Sequence, residues 1–80
     1  MYFVYILYSR KLDKYYVGST QDIEDRHHRH NSGQGKFTKK GIPWKRLTTF
    51  ELETRPEAVR LEKKIKKRGI RRYLEENGLI

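Results

Sequence analysis

Eighty residues suffice for one small domain and not for two, and with only 35% of them hydrophobic the interior must be thin. Six tyrosines, three phenylalanines and one tryptophan supply the large contact areas that argue against disorder, while the absence of cysteine excludes disulfides, thiolate nucleophiles and cysteine zinc sites. Nineteen basic residues against ten acidic ones leave a formal charge of +9, which points to a polyanion and makes nucleic acid the default partner.

That charge is uneven. Residues 1–35 hold five Lys or Arg against four Asp or Glu, whereas residues 36–80 hold fourteen against six, so the polyanion-facing surface should draw on the second half. The chain reads as one domain over residues 1–80. Its apolar start lacks a basic leader, a cleavage site and the length of a membrane span, so no membrane association is expected. A cytoplasmic setting, near the nucleoid, fits a cysteine-free basic chain.

Tyr2 to Tyr8 is dense in β-branched and aromatic residues and reads as a strand, apolar on both faces and therefore central or covered. A short polar loop around Asp13 separates it from Tyr15 to Ser19, as in a hairpin, with Tyr16 and Gly18 on one face. Ser19, Thr20 and Asp22 offer caps for a helix on which Ile23, Arg26, His27 and His30 recur at helical spacing. Asn31, Ser32, Gly33 and Gly35 end it. A basic loop through Lys36, Lys39 and Lys40 follows, closed by Gly41 and Pro43.

Trp44 to Leu52 reads as a third strand, with Leu47, Thr49 and Glu51 on one face and Thr48, Phe50 and Leu52 on the other. Thr54 and Glu57 form a capping-box signature with Pro56 in the first turn, so a helix starts there with Ala58, Leu61 and Ile65 as its apolar stripe and Glu62 at the stripe's edge. Gly69 breaks the pattern before a shorter helical piece with Ile70, Tyr73 and Leu74, which Gly78 can end. Lys63 to Arg72 holds seven basic residues and no acidic one: a solvated face or a phosphate-contacting one.

The triplets Phe3-Val4-Tyr5 and Tyr16-Val17-Gly18, followed by Arg26, His30, Asn31 and Glu62 in the same order and spacing, resemble the motifs of the GIY-YIG nuclease family. The likeness covers almost the whole chain and is strongest to small bacterial members related to the catalytic domain of the excision-repair nuclease subunit. It implies an α+β fold, a three-stranded antiparallel sheet flanked by helices. It further implies that Tyr5, Tyr16, Arg26 and Glu62 converge on one divalent metal. Phe3 stands where the family name has glycine, which removes no reactive group. The late active-site asparagine of several members has no counterpart, Asn77 lying near the last residue.

On that resemblance Glu62 is the metal ligand, for Mg2+ with Mn2+ as substitute, because a carboxylate offers a hard anionic oxygen. Arg26 would stabilise charge on the phosphate, Tyr16 would activate the water, and Tyr5 and His30 would order water, phosphate or protons. Each has a plainer reading: ion pairing for Glu62, surface solvation for Arg26, core packing for Tyr5, and for His30 one histidine among three in a short stretch. Lys36, Lys39, Lys40 and Lys45, with Thr38 and Trp44 beside them, and Lys63, Lys66 and Lys67 are the expected DNA contacts, although Trp44 equally suits a core. Three functions compete. The first is a metal-dependent DNA endonuclease or structure-selective nicking enzyme. The second is a catalytically weak or inactive nucleic-acid-binding module in an assembly with repair or recombination proteins. An RNA-binding structural protein comes third, since no RNA-recognition motif is apparent.

Overall fold

The computed structural model describes residues 1–33 and 38–80. Its elements are β1 (Tyr2–Ser9), β2 (Lys14–Thr20), α1 (Ile23–Asn31), a 3-10 turn (Thr38–Gly41), β3 (Trp44–Leu52), α2 (Arg55–Arg68) and α3 (Ile70–Glu76). The strands form one antiparallel sheet in the order β2-β1-β3, so the expected α+β architecture is the observed one. Lys36, one of the expected DNA contacts, lies outside the described residues.

Strand β1 is central because both of its faces are apolar, and each face feeds a different cluster. Val4 and Ile6 join Val17, Ala58, Ile65 and Leu74 under α2 and α3. Tyr5 and Leu7 join Trp44 on the opposite face, with Tyr16, Ile23 and Ile42 against them. Two thin cores, one per sheet face, are how this polar chain covers its central strand. The β1–β2 hairpin turns at Asp13, whose φ of 51° is a left-handed conformation that aspartate tolerates, and its carboxylate accepts from the Tyr8 hydroxyl at 2.8 Å.

Three local signals produce the helix boundaries. Asp22 caps α1, its carboxylate accepting from the Asp25 amide at 3.0 Å. Thr54 caps α2 through the Glu57 amide, while the Glu57 carboxylate accepts from the Thr54 hydroxyl at 2.8 Å. Gly69, at φ 95°, closes α2 and turns the chain into α3.

Two expectations are corrected here, at Leu47 and Thr38, and Trp44, left open between a DNA contact and the core, belongs to the core. Leu47 was assigned to the face opposite Phe50 and Leu52, but it packs against the same cluster as both of them. A register shift is the cause: Ile6 pairs with Thr48 and Leu7 with Arg46, so Leu47 is the extra residue of a bulge and strict alternation fails. Trp44 and Thr38, read as possible DNA contacts, are both buried, and the indole N–H donates to the Thr38 carbonyl at 2.6 Å. An aromatic that closes a small core has no face left for a base.

Candidate functional site

Strand β1 places Tyr5 on the sheet face covered by α1, and α1 places Arg26 and His30 one turn apart against it. The Tyr5 hydroxyl lies 3.0 Å from His30 Nε2. Tyr16 of β2 sits beside both, its ring centroid 4.9 Å from that of His30 and 6.4 Å from that of Tyr5. Gly18, paired with Tyr5 across the hairpin, makes this close approach possible, since a Cβ there would stand 2.5 Å from the Tyr5 hydroxyl oxygen and 2.8 Å from its Cζ. Gly18 thus serves a close approach within the second strand, and the tyrosine hydroxyl is what approaches.

Electrostatics tie the remaining two residues to this centre. Burial pushes the Tyr5 phenol well above the usual tyrosine range, the neighbouring Tyr16 and Glu62 add to the rise, and the Arg26 guanidinium, hydrogen-bonded to Tyr5, opposes it. Burial also holds His30 below the ordinary histidine value, helped by the positive charge of Arg26 and by His27. The Tyr5 hydroxyl and His30 Nε2 share one hydrogen bond whose direction is set by the imidazole tautomer, and Nδ1 is the ring's other nitrogen. That Nδ1 is buried without a hydrogen-bond partner among the described residues.

Glu62 approaches from α2. Its side chain is 21% exposed, and its Oε2 accepts from Lys66 Nζ at 2.7 Å, one helical turn on. Lys66 also feels Tyr16, and its pKa rises, chiefly through the bond to Glu62. Lys63, Lys66 and Lys67 are all exposed, as expected, and among the described residues Lys66 is the one of the three that is ion-paired to a carboxylate. The i,i+4 spacing of Glu62 and Lys66 was the signal available for this pair. Lys39, Lys40 and Lys45 are exposed near the start of β3.

Asn31 performs a function that the sequence did not reveal. Its side chain grips both backbone groups of Trp44, the amide donating to Oδ1 at 2.5 Å and Nδ2 donating to the carbonyl at 3.0 Å. The end of α1 is thereby fastened to the start of β3, and His30, the preceding residue, is fixed over Tyr5. Asn77 is exposed and donates to the Tyr73 carbonyl at the end of α3.

Among the described residues no three His, Cys, Asp or Glu side chains are grouped to hold a metal ion. The donor set is one carboxylate and two phenols. It suits a hard cation that keeps most of its water, and the Lys66 ammonium already stands as a cation on the Glu62 carboxylate. Strands β1 and β2 and helix α1 thus bring Tyr5, Tyr16 and His30 together, and Arg26 and Glu62 act on Tyr5 through their charges. A family model for the GIY-YIG catalytic domain matches residues 1–73, and the chain belongs to that family.

Two bacterial proteins illustrate the likeness. The UPF0213 protein YsiG of Lactococcus lactis is 38% identical over 84 aligned residues, which cover 99% of this chain and 79% of that protein. The solution NMR structure of the UPF0213 protein BH0048 from Bacillus halodurans matches with a TM-score of 0.61 and 31% identity over 99% of this chain and 85% of that one.

Proposed function

We propose that this chain is a nucleic-acid-binding module of the GIY-YIG fold that presents a phosphodiester to Tyr5, Tyr16, Arg26, His30 and Glu62, and whose hydrolytic capacity is weak while Lys66 occupies Glu62. The observation that carries this reading is the 2.7 Å contact between Lys66 and Glu62 at the edge of the tyrosine cluster. The ammonium holds one of the two Glu62 carboxylate oxygens and competes with a metal for the anionic group, leaving a surface ready for phosphate but weaker in metal affinity.

DNA is the proposed partner, since the net charge of +9 and the exposed Lys39, Lys40, Lys45, Lys63 and Lys67 supply sequence-independent phosphate contacts. Repair or recombination proteins would supply the choice of site.

Hydrolysis is the second reading, supported by the contacts among Tyr5, Tyr16 and His30 and by the charges of Arg26 and Glu62 acting on Tyr5. Mg2+ or Mn2+ held by Glu62 would neutralise phosphoryl charge and acidify a water. Arg26 would then face the phosphoryl oxygens with a fixed positive fork, Tyr5 and His30 would hold that fork in place, and Tyr16, less enclosed than Tyr5, would orient the attacking water. Tyr5 cannot itself serve as base, because its phenol is held neutral by burial.

The test compares the parent with Lys66→Met and Glu62→Gln on supercoiled and branched DNA, with and without Mg2+ or Mn2+. The parent should bind in a salt-sensitive manner and nick slowly, Lys66→Met should bind Mn2+ more tightly and nick faster, and Glu62→Gln should bind DNA without metal-stimulated nicking. A parent that cleaves rapidly with metal, and no slower than Lys66→Met, would show that Lys66 restrains nothing.

A further inference from the structure

Between α1 and the first turn of α2, across the end of β2, a cleft of about 390 Å³ is lined by Arg26, Arg29 and Arg55 together with Tyr2, Thr20 and Gln21. None of Arg29, Arg55, Tyr2 or Gln21 belongs to the tyrosine cluster. We infer that this cleft is a second phosphate-binding site, which takes the backbone of a nucleic-acid strand next to the phosphodiester facing Tyr5. The inference rests on the proposed nucleic-acid binding and adds the path the strand follows.

Three observations carry it. Arg26 belongs to both places: it lines the cleft, and it stands on α1 one turn before His30, with its charge acting on both Tyr5 and His30. Arg29 is held at Nε by Asp25 at 2.9 Å, which fixes its direction and leaves the two terminal nitrogens of its fork to donate. Arg55, exposed in the first turn of α2, has no ion-pair partner among the described residues.

The two acidic residues of the lining, Asp22 and Asp25, offset part of the charge of the three arginines and leave the lining net positive. Asp25 is engaged by Arg29, and Asp22 by the capped end of α1. What faces the cleft is therefore a row of guanidinium donors at the level of the Tyr5 cluster, with the Thr20 hydroxyl already turned to the Asp22 carbonyl. Guanidinium forks match phosphate oxygens in pairs. The partly buried ring of Tyr2 and the exposed amide of Gln21 offer a flat surface and a polar edge to one base.

This surface belongs to the near-neutral first half of the chain and the start of α2, whereas the lysines from 39 to 45 and from 63 to 67 lie elsewhere in sequence. Charge density along the chain therefore hid it. Bringing Arg26, Arg29 and Arg55 together requires the fold.

The test measures fluorescence-anisotropy titrations of a labelled DNA duplex of about two helical turns against the parent, Arg29→Gln/Arg55→Gln and Arg55→Glu, between about 50 and 200 mM salt. Both arginines are exposed, and circular dichroism checks that each variant stays folded. The double variant should bind on the order of tenfold more weakly at low salt, with the slope of log affinity against log salt shallower by about 2, one per lost phosphate contact. Arg55→Glu, which disrupts no partner, should weaken binding at least as much as half of that effect on a logarithmic scale. If the parent binds the duplex and the folded variants bind it with the same affinity and slope, the cleft is overturned while the proposed function stands. If the parent itself fails to bind, the proposed function falls and the cleft falls with it.

Discussion

The phenol of Tyr5 and the imidazole of His30 meet at 3.0 Å across a sequence separation of 25 residues. Burial acts on both in the same sense, raising the phenol's pKa and lowering the imidazole's, so the pair is neutral and each group depends on the other for its hydrogen bond. This dependence makes the stability of the fold pH-sensitive.

The sign follows from His30. Its folded pKa lies below the unfolded value of about 6.5, so the unfolded chain takes up the proton first. Stability from this residue should be complete above about pH 6.5 and be lost as the pH falls below that value toward the folded pKa. Thermal midpoints between about pH 8 and pH 5 check it. His30→Gln should flatten the curve, and an equally steep curve in that variant would assign the effect to other groups.

Gly18→Ala should cost about 1–3 kcal/mol, because the new methyl carbon would be forced to within 2.5 Å of the Tyr5 hydroxyl oxygen in a packed site. Chemical denaturation reads this directly. A variant as stable as the parent would mean that Tyr5 can withdraw without loss, against its almost complete burial.

Asn31→Ala should remove both side-chain bonds to the Trp44 backbone and cost about 1–3 kcal/mol, the usual range for leaving buried polar groups unpaired. The chain has one tryptophan, so its emission reports the site. A red shift on substitution is the expected result; unchanged emission and stability would show that β3 holds its start without α1.

How much of this was legible in the sequence depended on range. The bounds of β3, the Thr54–Glu57 cap and the break at Gly69 were readable because each rests on neighbours within a few residues. The convergence of Tyr5, Tyr16, Arg26 and Glu62 was an expectation from a family resemblance, since no local pattern joins residues that far apart, and the structure shows Tyr5, Tyr16 and His30 in contact. The bulge at Leu47, the grip of Asn31 on Trp44 and the arginine cleft depend on strand register and on how α1 settles against the sheet. The Lys66–Glu62 ion pair was legible as the plain reading of Glu62, because the two residues stand one helical turn apart, and Lys66 lies on the exposed face expected for it.

Replacing Lys63 and Lys67 with alanine should weaken DNA association and make it less salt-dependent, while replacing Lys66 alone should weaken it less, because its charge is already shared with Glu62. Competitive titration of the three variants at one low salt concentration decides it. Equal losses for the double and the single variant would place Lys66 among the phosphate contacts, as first expected.

The last comparison separates the two tyrosines. Tyr5→Phe keeps the buried ring but leaves His30 Nε2 and the Arg26 fork without the oxygen between them, so it should cost about 1–3 kcal/mol of stability. Tyr16 is only partly buried, its ring resting on those of His30 and Trp44, so Tyr16→Phe keeps the ring contacts and should cost less. On the proposed function the order reverses for any metal-stimulated nicking. Tyr16 would orient the water and its hydroxyl would be required, whereas Tyr5 acts through the placement of Arg26, a loss that bound phosphate can partly restore. Denaturant midpoints and nicking rates measured on the same preparations test both halves. A Tyr5→Phe variant as stable as the parent would break the structural half, and a Tyr16→Phe variant that nicks at the parent rate would remove Tyr16 from the chemistry.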